Sequence, residues 1–184
     1  MRKVSTSVTI LALGFITLGA MSCKEADKGS AAKTEADISV QATAGAKEII
    51  DGYLKLKDAL VGDSQEQAAK AGAEVVKIVS EFKLDKVDAS QRAELEKILA
   101  NFKQQADQIT KSDIAEQREH FEGLSAGLLD LVAITGTPIP LFQQFCPMYK
   151  NDQGGMWVSA AKAVKNPYFG SQMLNCGVVQ KEIN

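Results

Sequence analysis

Apolar residues recur at helical spacing through most of this chain. Ile49, Tyr53, Leu56 and Leu60 fall one turn apart, with Ile50, Leu54 and Val61 beside them, which predicts a helix from about Gly45 to Val61. Gly62-Asp63 ends it. A second helix starts at Asp63 or Ser64, where Ser64 and Gln67 have capping-box spacing, and buries Ala68, Ala71, Gly72, Val75, Val79 and Phe82. Leu84 to Asp88 is a short connection. A third helix runs from about Ala89 to Ile109 with Leu95, Ile98, Leu99, Phe102, Ala106 and Ile109 on one face. A fourth takes Ser112 as N-cap and carries the stripe Ile114, Phe121, Leu124, Leu128, Leu131 and Val132, until Gly136-Thr137-Pro138-Ile139-Pro140 stops it. The expected architecture is mainly α, a four-helix up-down bundle with a small irregular or β C-terminal cap.

The periodicity breaks at the cap. Leu141 to Cys146 is an apolar and aromatic run, Asn151 to Gly155 is a polar turn, and Met156-Trp157-Val158 is expected to return as a short strand of a hairpin. Asn166-Pro167-Tyr168-Phe169-Gly170 reads as a turn, and Cys176 to Ile183 as a final strand.

Before the first helix stand two segments of other character. Arg2-Lys3 followed by the uncharged run Val4 to Ala20 has the form of a secretory signal. Leu18-Gly19-Ala20-Met21-Ser22-Cys23 resembles a bacterial lipobox, departing from it at Met21 and at Ala20. Residues 1–22 are therefore expected to be a lipoprotein signal peptide, and Cys23 the lipidated first residue of the mature chain. A plain secreted chain cut near Ala20 is the alternative. Two acyl chains would anchor the protein stably. Lys24 does not resemble the Asp of an inner-membrane retention signal, so the expected place is the outer membrane, facing the periplasm. Residues 23–44 are polar and alternate in charge, which predicts a flexible tether. Residues 45–184 form the folded part.

Charge excludes one class of function. The formal net charge is −2, and loss of Arg2 and Lys3 with the signal takes it to −4. No basic stripe is present, so a nucleic-acid partner is not expected. Enzymatic chemistry is not expected either. The chain has one His and no phosphate-binding Gly loop.

Sulfur is distributed unevenly. Beyond Cys23, every Cys (146 and 176) and every Met (148, 156 and 173) lies in the cap, and the single Trp, Trp157, sits beside Met156. Core filler would be scattered through the helices. Cys146 and Met148, two apart, would share one face of a strand. Met173 and Cys176, three apart, would share one face of a helical turn. Two thiolates and two thioethers suit Cu(I) better than zinc, magnesium or calcium. His120 on the fourth helix could add an imidazole, and Met156 or the Trp157 ring could support the ion. The bland readings stand beside these. Cys146 and Cys176 could be a disulfide, the default for a Cys pair in an exported protein, worth about 2–4 kcal/mol for a loop of roughly thirty residues. The methionines could be filler, His120 a structural hydrogen-bonder and Trp157 an anchor.

Four segments together resemble one family. They are Gln117 to Ser125, Gln144-Phe145-Cys146-Pro147-Met148, Gly155-Met156-Trp157-Val158-Ser159, and Asn166 to Gly177. Their pattern is similar to the domain of unknown function 3347 family, over about Glu48 to Ile183. Members are small exported proteins and C-terminal extensions of heavy-metal efflux adaptors of the CusB type. The resemblance implies metal handling, with copper as cargo, at the cell envelope. Cys146, Met148, Met173, Cys176 and His120 match its positions; Met156 does not. The expected function is an envelope lipoprotein that binds Cu(I) and sequesters it or passes it to an efflux adaptor or another envelope copper protein. The alternative is a disulfide-stapled helical interaction module without metal.

Overall fold

The computed structural model describes residues 29–184, with side chains described from residue 45 on, Lys86 excepted. The signal segment, Cys23 and residues 24–28 lie outside them. Four long helices come first: α1 (Gly29–Val61), α2 (Gln65–Glu81), α3 (Arg92–Ile109) and α4 (Ile114–Thr135). Three strands follow, β1 (Leu141–Cys146), β2 (Gly155–Ser159) and β3 (Val178–Ile183). The chain is thus mainly helical with a small antiparallel sheet at its C-terminal end, in the strand order β2-β1-β3. No helix among the described residues is long and apolar enough to cross a membrane.

The helices form where the apolar stripes predict them, with three differences. First, α1 begins at Gly29, so residues 29–44, expected in the tether, continue the helix. They hold several Ala, with Lys and Glu, and neither Gly nor Pro between 30 and 44. Such residues propagate a helix once a packed segment has nucleated it, without an apolar face of their own. Second, α3 starts at Arg92, after a turn in which the Asp88 side chain binds the Ser90 amide and hydroxyl. Third, the N-cap of α4 is Asp113 rather than Ser112. Its Oδ1 accepts the amides of Ala115 and Glu116 at 2.9 and 3.0 Å. A carboxylate there also suits the positive end of the helix dipole. Ser64 caps α2 as its spacing predicts, accepting Gln67 N–H.

α1 packs on α2 and α4, and α3 on the same two helices. Ile49, Leu56, Leu95, Phe102, Leu124 and Leu128 are fully buried between them. At about 1.5–3 kcal/mol for each such side chain, this burial is the main term holding the helices together. The stripe of α4 also buries three polar residues, Gln117, Ser125 and Thr135. Gln117 Nε2 ties α4 to the ends of its neighbours, donating to the carbonyls of Gln65 and Ile109 at 3.1 and 3.0 Å.

The sheet docks on the helices through the outer edge of β2. An edge strand leaves outward N–H and C=O groups without a ladder partner. Here two tyrosine hydroxyls take them. Tyr53 Oη accepts Val158 N–H at 3.0 Å, and Tyr168 Oη donates to the Met156 carbonyl at 2.5 Å. Tyr53 Oη is 2.7 Å from Ser125 Oγ, which itself donates to Phe121 C=O at 2.9 Å. The Ser125 proton is therefore committed, and Tyr53 is the donor to Ser125. One buried chain of hydrogen bonds runs from β2 through α1 into α4. Burial pushes the Tyr53 hydroxyl far above its ordinary pKa, so it keeps its proton. Phe121 stacks on Tyr53 at 5.0 Å and meets Tyr168 edge-on at 5.9 Å, filling the space between helices and sheet.

A second clamp holds the loop before β3. Arg118 on α4 donates to the carbonyls of Pro167 and Leu60 at 3.0 and 3.2 Å and pairs with Asp63 at 2.5 Å. Asp63 Oδ2 accepts Ser171 N–H at 2.9 Å. Gly170 must be glycine at this point: its φ is 55° and a Cβ would stand 1.8 Å from Asp63 Oδ1.

Two predictions follow from these joints. Tyr53→Phe leaves Val158 N–H buried without an acceptor, and is expected to lower stability by about 1–3 kcal/mol in urea denaturation. A variant as stable as the parent would remove the hydroxyl from this role. The Ser171 hydroxyl and amide, and then Arg118, hold the Asp63 carboxyl at about 2, below its ordinary 3.8. A depressed carboxyl stabilises above its unfolded pKa and loses that stability as pH falls through the folded one. The melting temperature should fall between about pH 4 and pH 2, and Asp63→Asn, which still tolerates the left-handed φ of 55° at this position, should flatten that part of the profile.

A candidate thiol site in the cap

Cys146 and Cys176 meet. Cys146 is the last residue of β1, fully buried, opposite Gly155 in the register. Cys176 is half-buried in the loop that leads into β3. Both are free thiols, and they are neighbours: a Cβ on Gly177 would stand 3.0 Å from the Phe145 carbonyl oxygen. The Cys146 thiol beside it, then burial, then the charge Cys146 would carry, push the Cys176 thiol up to about 11. Cys176 therefore rests protonated at neutral pH. An incoming soft cation would have to displace that proton.

Different parts of the chain position the two sulfurs. Cys146 is set by β1, whose neighbours Phe145 and Gln144 pair with Met156 and Trp157 on one side and with Val178 and Val179 on the other. Cys176 is set by Asn166, a fully buried side chain. Asn166 Nδ2 donates to the Cys176 carbonyl at 2.8 Å, while its Oδ1 accepts the amides of Tyr168 and Phe169 at 2.8 and 3.2 Å. Asn166 N–H bonds Leu174 C=O at 2.8 Å. The loop is thus folded around one amide side chain. The sequence marks Asn166 only as the start of an Asn-Pro turn, and gives no sign that its second contact is Cys176.

Neither expected ligand clip forms as the spacing suggests. β1 ends at Cys146, because Pro147 has no N–H to extend the ladder. Met148 therefore leaves the strand. It is 49 % exposed and lines an open cleft of about 550 Å³ with Arg118, Glu119, Tyr149 and Phe169. Met173 and Cys176 share a turn rather than a helix, closed by Cys176 N–H to Met173 C=O at 3.0 Å. Met156 pairs with Phe145 and so points to the sheet face opposite Cys146. His120 faces α3, with Nδ1 3.0 Å from Gln105 Oε1. Among the described residues no three His, Cys, Asp or Glu side chains come together to hold a metal, so His120 does not join the two thiols.

Met148, Met156 and Met173 all lie outside the packed hydrophobic core. Trp157, by contrast, is fully buried, edge-on to Tyr168 at 5.9 Å. Its ring end lies against the backbone next to Cys176, since a Cβ on Gly177 would stand 2.8 Å from it. Gln144 is directly opposite Trp157, on the same sheet face as Cys146. Gln144 Nε2 donates to the carbonyls of Ala161 and Lys162 at 2.9 and 3.3 Å. Gln144 Oε1 and Trp157 Nε1 are buried with no hydrogen-bond partner among the described residues.

A family model described as a protein of unknown function, DUF3347, matches residues 49–139. The match covers the helices from the stripe of α1 to the end of α4, and with them His120. It ends before β1, so the resemblance to Ile183 is carried by this match only as far as Ile139, and Cys146, Met148, Met173 and Cys176 lie beyond it. Among curated proteins and solved structures, none matches the chain.

Asn166→Ala removes the amide that holds Cys176. It is expected to cost about 2–4 kcal/mol, through more than one buried group left unpaired, and to speed alkylation of Cys176 in the folded protein. Unchanged alkylation kinetics would show that another contact fixes the loop.

Proposed function

We propose that this chain, which is similar to the DUF3347 family over residues 49–139, is a cell-envelope lipoprotein whose cap binds Cu(I). It sequesters the ion or hands it to a heavy-metal efflux adaptor or another envelope copper protein. In this reading Cys23 carries the lipid anchor, on the periplasmic face of the outer membrane, and the helices are an up-down bundle that serves as a stand for the cap. The reading assigns no enzymatic activity.

One observation carries it: two thiols thirty positions apart in sequence are brought side by side. Thiolates are soft donors and match Cu(I), which accepts low coordination numbers. Met173, on the same turn as Cys176, is the nearest thioether in sequence to complete the set. Trp157 Nε1 is an unpaired donor on the face that carries Cys146, and a thiolate formed there is a better acceptor than a thiol. Met148, Met156 and His120 have no place in this core set, because the first is exposed, the second is on the other face and the third is engaged with Gln105.

The same closeness also favours a second reading, a permanent Cys146–Cys176 disulfide that staples β1 to the loop before β3 in an interaction module. The two separate on one sample. Purified anaerobically, the full-length chain is expected to bind one Cu(I) in native mass spectrometry, with quenching of the single Trp. Cys176→Ser should weaken Cu(I) binding about a hundredfold, ~2.7 kcal/mol, while His120→Ala leaves it unchanged. Full affinity in Cys176→Ser would sink the ligand set. A chain lighter by two hydrogens that takes up no copper would leave the staple.

A further inference from the structure

The two sulfurs differ in one respect that matters for chemistry with other thiols. Cys146 is fully buried at the end of a central strand, while Cys176 is half-buried on a loop, next to the exposed Asn175. A disulfide arriving from outside can reach Cys176 and cannot reach Cys146. The sulfur it cannot reach is the neighbour of the one it can, since a Cβ on Gly177, the residue after Cys176, would stand 3.0 Å from the carbonyl of Phe145, the residue before Cys146.

We propose that Cys176 is a thiol–disulfide exchange site and that Cys146 is its resolving thiol, the co-reactant being an external disulfide such as oxidised glutathione or an oxidised dithiol protein. The thiolate of Cys176 attacks one sulfur of the external disulfide. A Cys176–S–S–R bond forms, the external S–S bond breaks, and the first RS⁻ leaves and takes up a proton. Cys146 then gives up its proton and attacks the Cys176 sulfur. The Cys146–Cys176 bond forms and the second RS⁻ leaves as RSH. Two protein thiols are oxidised, one external disulfide is reduced to two thiols, and both protein protons end on the products. Exchange follows access and thiolate fraction.

One consequence rests on the copper reading. Joined sulfurs offer no thiolate to a cation, so oxidation and Cu(I) loading exclude each other.

The test treats anaerobic full-length protein with oxidised glutathione, quenches it with iodoacetamide at intervals, and maps the products by mass spectrometry. Early samples of the wild type are expected to carry glutathione on Cys176 and an alkylated Cys146. Late samples should be lighter by two hydrogens and free of glutathione. Cys146→Ala should stop at one glutathione on Cys176, with a thermal melt to show that it is folded. The wild-type time course stands without that variant. Glutathione appearing first on Cys146, glutathione retained by the wild type, or no reaction up to pH 9 would each overturn the proposal. Cu(I) binding measured before and after oxidation separates the two readings. A reduced chain that exchanges as described but binds no copper overturns the copper reading alone. A chain that binds copper and does not exchange overturns this inference alone.

Discussion

Everything in the cap rests on a buried hydroxyl relay. Val158 N–H, Tyr53 O–H, Ser125 O–H and Phe121 C=O form one line of hydrogen bonds from the sheet through α1 into α4. Such a line has a definite polarity, and each member is worth more with the others in place. It solves two problems at once. It gives a partner to an amide on a sheet edge, which would otherwise be open to pairing with another strand. It also fixes the height and direction of β2 against the helices. A purely apolar contact at this joint would hold the sheet nearby but would not fix its register.

From that joint the position of the sulfurs follows step by step. β2 sets β1 through five paired residues, and the last pair, Cys146 with Gly155, puts one sulfur at the buried end of the strand. Tyr168 holds the next outward group of β2, and its neighbour Asn166 holds the carbonyl of Cys176. The Arg118–Asp63–Ser171 clamp ties the same loop to the ends of α1 and α4. The two thiols therefore meet because two separate parts of the cap are referred to the same helices. This is why a site can be built in a small sheet with little core of its own.

The helices were legible in the sequence, because burial of one stripe imposes a period that Ile49, Leu56, Leu95 and Leu128 obey. The strand positions were legible as well, including the hairpin of β1 and β2. What joins them was not. Tyr53 sits on the stripe as an apolar residue, and its hydroxyl partner lies 105 positions away. Spacing within a segment carries no information about a contact of that range. The same limit applies to Asn166 and Cys176. The pairing of Cys146 with Met148 failed for a local reason that the sequence did contain, since Pro147 ends the ladder between them. Residues 29–44 were read as a tether for want of an apolar pattern, but propagation of a helix needs propensity rather than burial. The meeting of Cys146 and Cys176 was open in the sequence, as a pair of ligands or as a disulfide, and their closeness serves both.

The central claim is that these two thiols, and not the imidazole of His120, hold copper. X-ray absorption spectroscopy at the copper edge, on full-length protein loaded anaerobically with one equivalent of Cu(I), reads the donor atoms directly. The account predicts a monovalent edge and a first shell of sulfur alone, lost in Cys146→Ser. A first shell with nitrogen or oxygen, or one that survives loss of Cys146, would contradict it.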